Sequence, residues 1–161
     1  MLCVLEFDHI DPENKVCCVY QCSSIEKMVI EANKCFMLCG KCHMRKTKKQ
    51  FNYGSSGNPG STYINQRKVK IGGCEMCGWF DENLLEALQF DHLDPNTKRS
   101  NVSRLTLFSI QRIDEEIALC RLLCINCHKL HTLEQNDCYL YKDTTGVEYR
   151  AQRATQRIKV I

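Results

Sequence analysis

Two pairs of cysteines give this sequence its clearest chemical signal. Cys74 and Cys77 form one CxxC pair, and Cys124 and Cys127 form a second. A CxxC turn brings two thiolates to one ion, and two such pairs complete the tetrahedral sulfur set that structural zinc prefers. The sequence therefore predicts a closed Zn2+ site, which would stabilise a module too small to depend on its core alone.

A carboxylate and two imidazoles form a second candidate group. Asp91 and His92 are adjacent, and His128 directly follows Cys127, so a zinc site would fix its position. A carboxylate and an imidazole can hold a divalent cation with open positions for water and a phosphate oxygen. The other imidazole can accept a proton from that water. The group is therefore suited to metal-assisted hydrolysis of a phosphodiester.

The chain repeats this arrangement, because it contains an internal duplication. Residues 7–15 read FDHIDPENK and residues 90–98 read FDHLDPNTK. Residues 24–47 also match residues 109–132 once two residues of gap are allowed. The duplication predicts an equivalent group in the first copy, made of Asp8, His9, His43, Cys39 and Cys42.

The first copy lacks a counterpart of the leading CxxC pair. In the second copy that pair ends 15 residues before His92, and the sequence has too few residues before His9 to contain it. Three explanations stay open: the site is empty, residues have been lost from the start of the gene, or other thiolates replace the pair. The candidates for replacement are Cys3, Cys17, Cys18 and Cys22.

The order CxxC, Asp-His and LLCxNCH resembles the HNH endonucleases that have a zinc-stapled ββα-metal (His-Me finger) fold. The resemblance covers about 60 residues of the second copy, and the variant FDHxDPxxK … LLCxNCHxxxT resembles forms found in phages and large DNA viruses. It implies that His92 is the general base and that Asp91 and His128 bind a catalytic Mg2+ or Mn2+, beside the structural Zn2+. It also implies an orienting Asn, for which Asn126 is the candidate.

A basic strip follows the first copy. Between Met44 and Lys70 there are seven Lys or Arg and no Asp or Glu. Such a strip is often a solvated linker, but beside a phosphodiesterase site we expect it to neutralise backbone phosphates. His131 lies three residues after His128, so the two would share one face of a helix. Because Lys46 occupies the equivalent position in the first copy, we expect His131 to contact phosphate and not to bind metal. The strip consists of Arg45, Lys46, Lys48, Lys49, Arg67, Lys68 and Lys70.

Period and turn signals predict the elements that position these residues. In the second copy, LEALQF is a strand or short helix leading into the Asp-His pair, and LDPNTK is a turn. Ile110, Ile113 and Ile117 repeat at helical spacing and predict a helix near residues 108–119. RLLC then indicates a short strand and HKLHTLEQN a helix beginning at His128, and the first copy has the same order.

Composition is typical of a soluble globular chain. Its 161 residues are 43% hydrophobic and 25% charged, which allows one modest core or two small ones. No run approaches the roughly 18 apolar residues of a membrane span, and no stretch resembles a signal peptide. We therefore expect an intracellular, reducing compartment (cytoplasm or nucleus), where the 13 cysteines indicate metal binding and not disulfides.

We divide the chain into four parts. The linker prediction rests on QFNYGSSGNPGSTY, which is rich in Gly, Ser, Asn and Pro and has no apolar period. The parts are an incomplete HNH-like repeat (1–47, the first repeat), a basic flexible linker (48–69), a complete zinc and ββα-metal module (70–135, the second repeat) and a basic tail (136–161).

The expected protein is an α+β chain of two tandem ββα-metal modules that hydrolyses DNA without entering a membrane, and the resemblance allows that a virus encodes it. The alternative is a non-catalytic zinc-knuckle module that binds nucleic acid or protein. A purely structural zinc module does not need Asp91, His92 and His128 together, which favours the nuclease. The recognition sequence, DNA against RNA, nicking against double-strand cleavage, the activity of the first repeat and the oligomeric state, including a homodimer, stay open.

Overall fold

The computed structural model describes residues 4–51, 57–135, 139–142 and 148–151 of the chain. Within them, three two-stranded antiparallel sheets and five helices make a mixed α+β fold. The helices are α1 (Ile25–Ala32), α2 (Gly40–Phe51), α3 (Pro59–Ile71), α4 (Ile110–Ile117) and α5 (Ile125–Gln135). The strands are β1 (Leu5–His9), β2 (Cys35–Cys39), β3 (Leu88–His92), β4 (Cys120–Cys124), β5 (Tyr139–Lys142) and β6 (Glu148–Ala151). No described helix is long and apolar enough to cross a membrane.

Two of the sheets are hairpins with the same register. Leu5 pairs with Cys39 in the β1–β2 hairpin, and Leu88 pairs with Cys124 in the β3–β4 hairpin. In each case a helix begins at the next residue, α2 in the first repeat and α5 in the second. Successive side chains of a strand extend to opposite faces, so the Asp and the His of each Asp-His pair point away from one another.

The predicted elements of the second repeat are largely confirmed. The predicted helix near residues 108–119 is α4, which Ser109 caps by accepting the N–H of Arg112. The predicted strand RLLC lies within β4, and LDPNTK turns through a short 3-10 segment, Pro95–Thr97. One boundary was wrong, because α5 begins at Ile125, so the last three residues of the CINC knuckle already belong to the helix.

Two buried clusters form the core of the second repeat. One lies against the β3–β4 hairpin and contains Leu88, Leu122, Leu123, Cys74, Cys124 and Cys127, with Trp79 packed against it. The other joins α3 to α4 and contains Ile64, Val102, Leu105, Ile113 and Ile117. Three of the four cysteines of the CxxC pairs are therefore part of the apolar core, while Cys77 is exposed.

The prediction of a flexible linker over residues 48–69 is wrong for most of that segment. Helix α2 runs to Phe51, and α3 begins at Pro59, where the Asn58 side chain accepts the N–H of Gly60. A Cβ on Gly60 would lie 2.1 Å from the carbonyl oxygen of Thr106, so this glycine permits close packing. Ile64 places α3 in the core of the second repeat, a single apolar anchor that gives no visible period in the sequence.

Candidate metal centres

The four cysteines of the two CxxC pairs come together in the second repeat. One ligand atom from each of Cys74, Cys77, Cys124 and Cys127 lies within 4.8 Å of all the others. The Sγ atoms of Cys77 and Cys124 are 3.8 Å apart. Sulfurs bound tetrahedrally at about 2.3 Å from zinc would have a similar separation. This cluster could therefore hold a metal ion such as zinc.

Local structure explains how the cysteines meet. The turn of the first pair closes through a hydrogen bond from Gly78 N to Cys74 O, and Gly78 has φ +69°, a conformation that favours glycine. Glu75 N donates to Leu122 O, which fastens the turn to β4. Cys124 ends β4 and Cys127 lies in the first turn of α5. The strand-to-helix junction thus presents the second pair to the first.

The pKa values of these thiols differ according to their neighbours. Burial opposes ionisation of Cys74, but N–H groups of Cys124, Cys77 and Met76 together lower its pKa to about 7. Burial and the neighbouring cysteines raise the pKa of Cys127. Because metal binding needs thiolates, loading this cluster must release protons and must weaken as the pH falls.

Asp91 is a buried carboxylate surrounded by nitrogen atoms. Its Oδ1 lies 3.2 Å from His128 Nε2, and its Oδ2 lies 2.7 Å from His131 Nδ1 and 3.4 Å from Arg121 Nε. His128 Nδ1 in turn makes a short hydrogen bond with Gln89 Oε1. Burial lowers the pKa of His128, although Asp91 acts in the opposite direction, and this favours the neutral ring. Among the described residues, this group is less tightly gathered than the cysteine cluster.

His92 does not join that group in the structure. Its Nε2 lies 2.7 Å from Oε1 of Glu116 in α4, and both side chains are buried. The same Glu116 oxygen accepts the N–H groups of Arg99 and Ser100, at 3.0 and 3.1 Å. Of the three residues predicted to converge, the structure brings Asp91 and His128 together and directs His92 Nε2 toward α4.

Sequence reasoning missed Glu116 and its counterpart Glu31. Glu31 accepts from His9 Nε2 at 2.7 Å, as Glu116 does from His92. Burial opposes ionisation of Glu116, but the N–H of Ser100 and the His92 side chain lower its pKa overall. A glutamate in an amphipathic helix suggests a solvated face. The available signal was that both copies have the residue at the same position of the duplication.

The first repeat has an ammonium group where the second has an imidazole. Lys46 Nζ lies 2.6 Å from Asp8 Oδ2 and donates to His9 O at 2.5 Å. His43 Nε2 is 3.5 Å from Asp8 Oδ1, and His43 Nδ1 makes a short contact with Glu6. Asp8 therefore has its positive partner within the chain.

Cys39 and Cys42 are not joined by further thiols among the described residues. Burial acts against ionisation of Cys39, but N–H groups and the Asn126 side chain lower its pKa overall. Cys17 and Cys22 form a separate pair, with Sγ atoms 2.9 Å apart. The other candidates for replacement also stay outside any such group, except Cys3, which lies outside the described residues.

Asn126 lies at the junction of the two repeats. Its Oδ1 would be 3.1 Å from a Cβ built on Gly40, the first residue of α2, and its side chain donates to Cys39. Asn126 thus links α5 to the start of α2. The orienting role predicted for it does not follow from this position.

The basic strip is mostly neutralised by acids from other parts of the chain. Arg45 lies 3.0 Å from Asp81, and Lys48 lies 2.9 Å from Glu86. Arg67 Nε lies 3.4 Å from Asp114, and Lys46 pairs with Asp8. Lys68 donates to Leu85 O, and burial lowers its pKa to about 8. These five members therefore have partners within the chain, and their contact with phosphates stays a prediction, while the exposed Lys49 and Lys70 have no ion pair among the described residues.

No protein-family model, no curated protein and no solved structure matches this chain. Inference about its function therefore starts from the arrangement of its own residues.

Proposed function

We propose that the protein is a metal-dependent DNA endonuclease built from two tandem ββα-metal modules, with the second repeat as the hydrolytic module. The observation that carries the proposal is the pairing of Asp91 with His128 at 3.2 Å, beside a cysteine cluster that fixes the start of α5. A buried carboxylate and a neutral imidazole form the donor set that a divalent cation on a phosphodiesterase requires. A purely structural metal module has no use for this pair.

In the proposed hydrolysis, the residues at the end of β3 and their partners in α4 and α5 have different roles. Asp91 and His128 would hold the cation, which would supply stabilisation of charge on the leaving oxygen. Glu116 accepts the Nε2 proton of His92, which leaves Nδ1 of His92 to take a proton from the attacking water. Asp91 and His92 are the last two residues of β3, so the proposal requires the scissile phosphate at the end of this strand.

A cavity of about 680 Å3 beside His128 supports a nucleotide substrate. Lys68 and Phe90 contribute a cation and a ring to its wall. The remaining polar groups of the wall are mostly uncharged, which suits hydrogen bonding to a base or sugar; they include Ser61, Asn65, Gln89, Asn101 and Ser103.

The test is incubation of the intact protein with supercoiled plasmid, with and without Mg2+ or Mn2+. We expect mainly nicked circles that depend on the cation, strong loss with Asp91→Asn, and little change with the matched first-repeat variant Asp8→Asn. His92→Gln should also abolish nicking, and His9→Ala should change the rate little. Plasmid that stays supercoiled with every cation would contradict the proposal.

The alternative is a non-catalytic zinc module that binds nucleic acid or protein. One observation favours it, since His92 is buried on Glu116 in the manner of a structural ion pair, and His9 is buried in the same way on Glu31. This alternative predicts plasmid retention in a gel shift without any cleavage. The same preparation and the same plasmid therefore decide between the two functions.

A further inference from the structure

We infer that His131 is a third protein ligand of the cation held by Asp91 and His128, so that the site suits a first-row transition metal and not Mg2+. The inference rests on the proposed function for the presence of that cation. It gives His131 a role other than the phosphate contact that the sequence favours.

The position of His131 Nδ1 is the first argument. It lies 2.7 Å from Asp91 Oδ2, but the two are not aligned as a hydrogen bond, and this buried nitrogen has no hydrogen-bond partner among the described residues. His128 and His131 are three residues apart in α5 and share one face of the helix. Asp91 therefore presents one carboxylate oxygen to each imidazole.

The tautomer of His128 is the second argument. Its Nδ1 bonds to Gln89 Oε1, an amide oxygen that can only accept, so Nδ1 has the proton. In the neutral ring the lone pair is on Nε2, which faces Asp91 Oδ1 at 3.2 Å, so that one cation could be bound by both atoms. A polar residue that binds the outer nitrogen of a histidine is also the usual support of a metal-ligating imidazole.

Ligand chemistry sets the class of ion. Two imidazoles with one carboxylate suit Mn2+, Fe2+, Co2+, Ni2+ or Zn2+, whereas Mg2+ prefers oxygen ligands and retains its water. A site with Asp91 and His128 alone would accept Mg2+ more readily. The third ligand therefore changes which cation the protein selects.

The first repeat provides a natural comparison. Lys46 stands at the position of His131, and its ammonium group lies 2.6 Å from Asp8 Oδ2. An ammonium has three donors and no lone pair, so it neutralises the carboxylate and cannot bind a metal ion. The exchange of one residue between the repeats thus separates Asp8, which a lysine neutralises at 2.6 Å, from Asp91, which faces two imidazoles and has its guanidinium partner Arg121 at 3.4 Å.

The experiment is a titration with Mn2+ of the full-length protein that contains one equivalent of Zn2+, which the four thiolates should take, followed by electron paramagnetic resonance of the free ion, in the absence of DNA. Mn2+ prefers oxygen and imidazole ligands, so the cysteine cluster should not compete for it. We expect one site that Mg2+ in about a hundredfold excess fails to empty. His131→Gln should weaken Mn2+ binding by at least about tenfold, and His131→Lys should abolish it.

Two controls complete the design. Glu134→Gln removes an exposed carboxylate from the same helix and should leave the affinity unchanged. Lys46→His should create a second Mn2+ site in the first repeat. Zinc content and thermal unfolding of each variant establish that it is folded.

The outcomes separate this inference from the proposed nuclease. Mn2+ affinity that stays within about twofold of the parent in folded His131→Gln would overturn the inference, whether or not plasmid is cleaved. Mn2+ binding that depends on His131, together with uncleaved plasmid, would support the third ligand and remove the nuclease.

Discussion

The first and second repeats have the same hairpin register and the same buried His–Glu pair, yet they differ in what surrounds them. The second repeat has four gathered cysteines and a helix, α3, packed on α4. In the first repeat, the described residues bring no comparable group to Cys39 and Cys42. The first repeat therefore has the same hairpin and helix arrangement without a comparable group of cysteines among the described residues, but its side chains are less buried.

The apolar side chains of helix α1 are more exposed than those of its counterpart α4. Ile113 of α4 is fully buried, but its counterpart Met28 in α1 is 38% exposed. Val29 and Ile30, which follow Met28, are also exposed. The amphipathic face of α1 thus lacks the cover that α3 gives to α4. We expect the second repeat to be the more stable part of the chain.

The largest expected effect is on the metal cluster. Cys124→Ala should unfold or aggregate the second repeat, because losing one of four thiolates opens a closed site on which folding depends. Zinc content and the near-ultraviolet circular dichroism of Trp79 report the result. Cys39→Ala in the first repeat is the matched control and should change little. Purified native protein without bound zinc would contradict this prediction.

The next effect concerns the unequal cores. Ile113→Ala should lower the free energy of unfolding by about 4 kcal/mol, because it leaves a cavity in a fully enclosed site. Met28→Ala, at the equivalent position, should cost less than about 1 kcal/mol. Urea unfolding monitored by circular dichroism measures both. Equal losses would show that α1 is covered by something as effective as α3.

The buried His–Glu pairs should respond unequally as well. His92→Ala should cost about 3 kcal/mol, because Glu116 is then left as a buried charge, and its Oε2 already lacks a hydrogen-bond partner. Removal of His92 is therefore expected to lower stability as well as to remove the proposed general base. His9→Ala should cost less, since Lys34 Nζ remains 2.8 Å from Glu31 Oε2.

Thermal unfolding compares the two variants, with Glu116→Gln as a check on the cause. The double variant His92→Ala with Glu116→Gln should regain part of the stability lost in His92→Ala, because no buried charge is then unpaired. If the stability lost in the double variant equals the sum of the losses in the two single variants, then packing, and not charge, is the source of the loss.

Much of the second repeat could be predicted from sequence because its signals are local. The CxxC spacing predicts the cysteine cluster, and the Ile110, Ile113 and Ile117 period predicts α4. Helix α3 escaped prediction because one anchor, Ile64, decides its packing. Composition rich in Gly and Asn outweighed that single residue.

The candidate site was harder to predict, because its partners are distant in the chain. The pairing of His92 with Glu116 joins residues 24 positions apart, and Arg45 meets Asp81 across 36 positions. A run of basic residues therefore looks free in sequence and is paired in the structure. Alternation along β3, which separates Asp91 from His92, was available from sequence and was not used.

The smallest expected effect tests whether α3 belongs to the second repeat. Burial lowers the pKa of Lys68 to about 8, below the value of roughly 10.4 for an unfolded lysine. The unfolded chain then binds more protons than the folded chain between these pH values, so stability should rise by about 2 kcal/mol as the pH increases from 8 to 10. Urea unfolding at both pH values measures the difference, and Lys68→Met should abolish the Lys68 contribution. The exposed Lys70 of the same helix provides the control, since Lys70→Met should leave the slope as it is. An unchanged slope in Lys68→Met would mean that α3 separates from α4 before the second repeat unfolds.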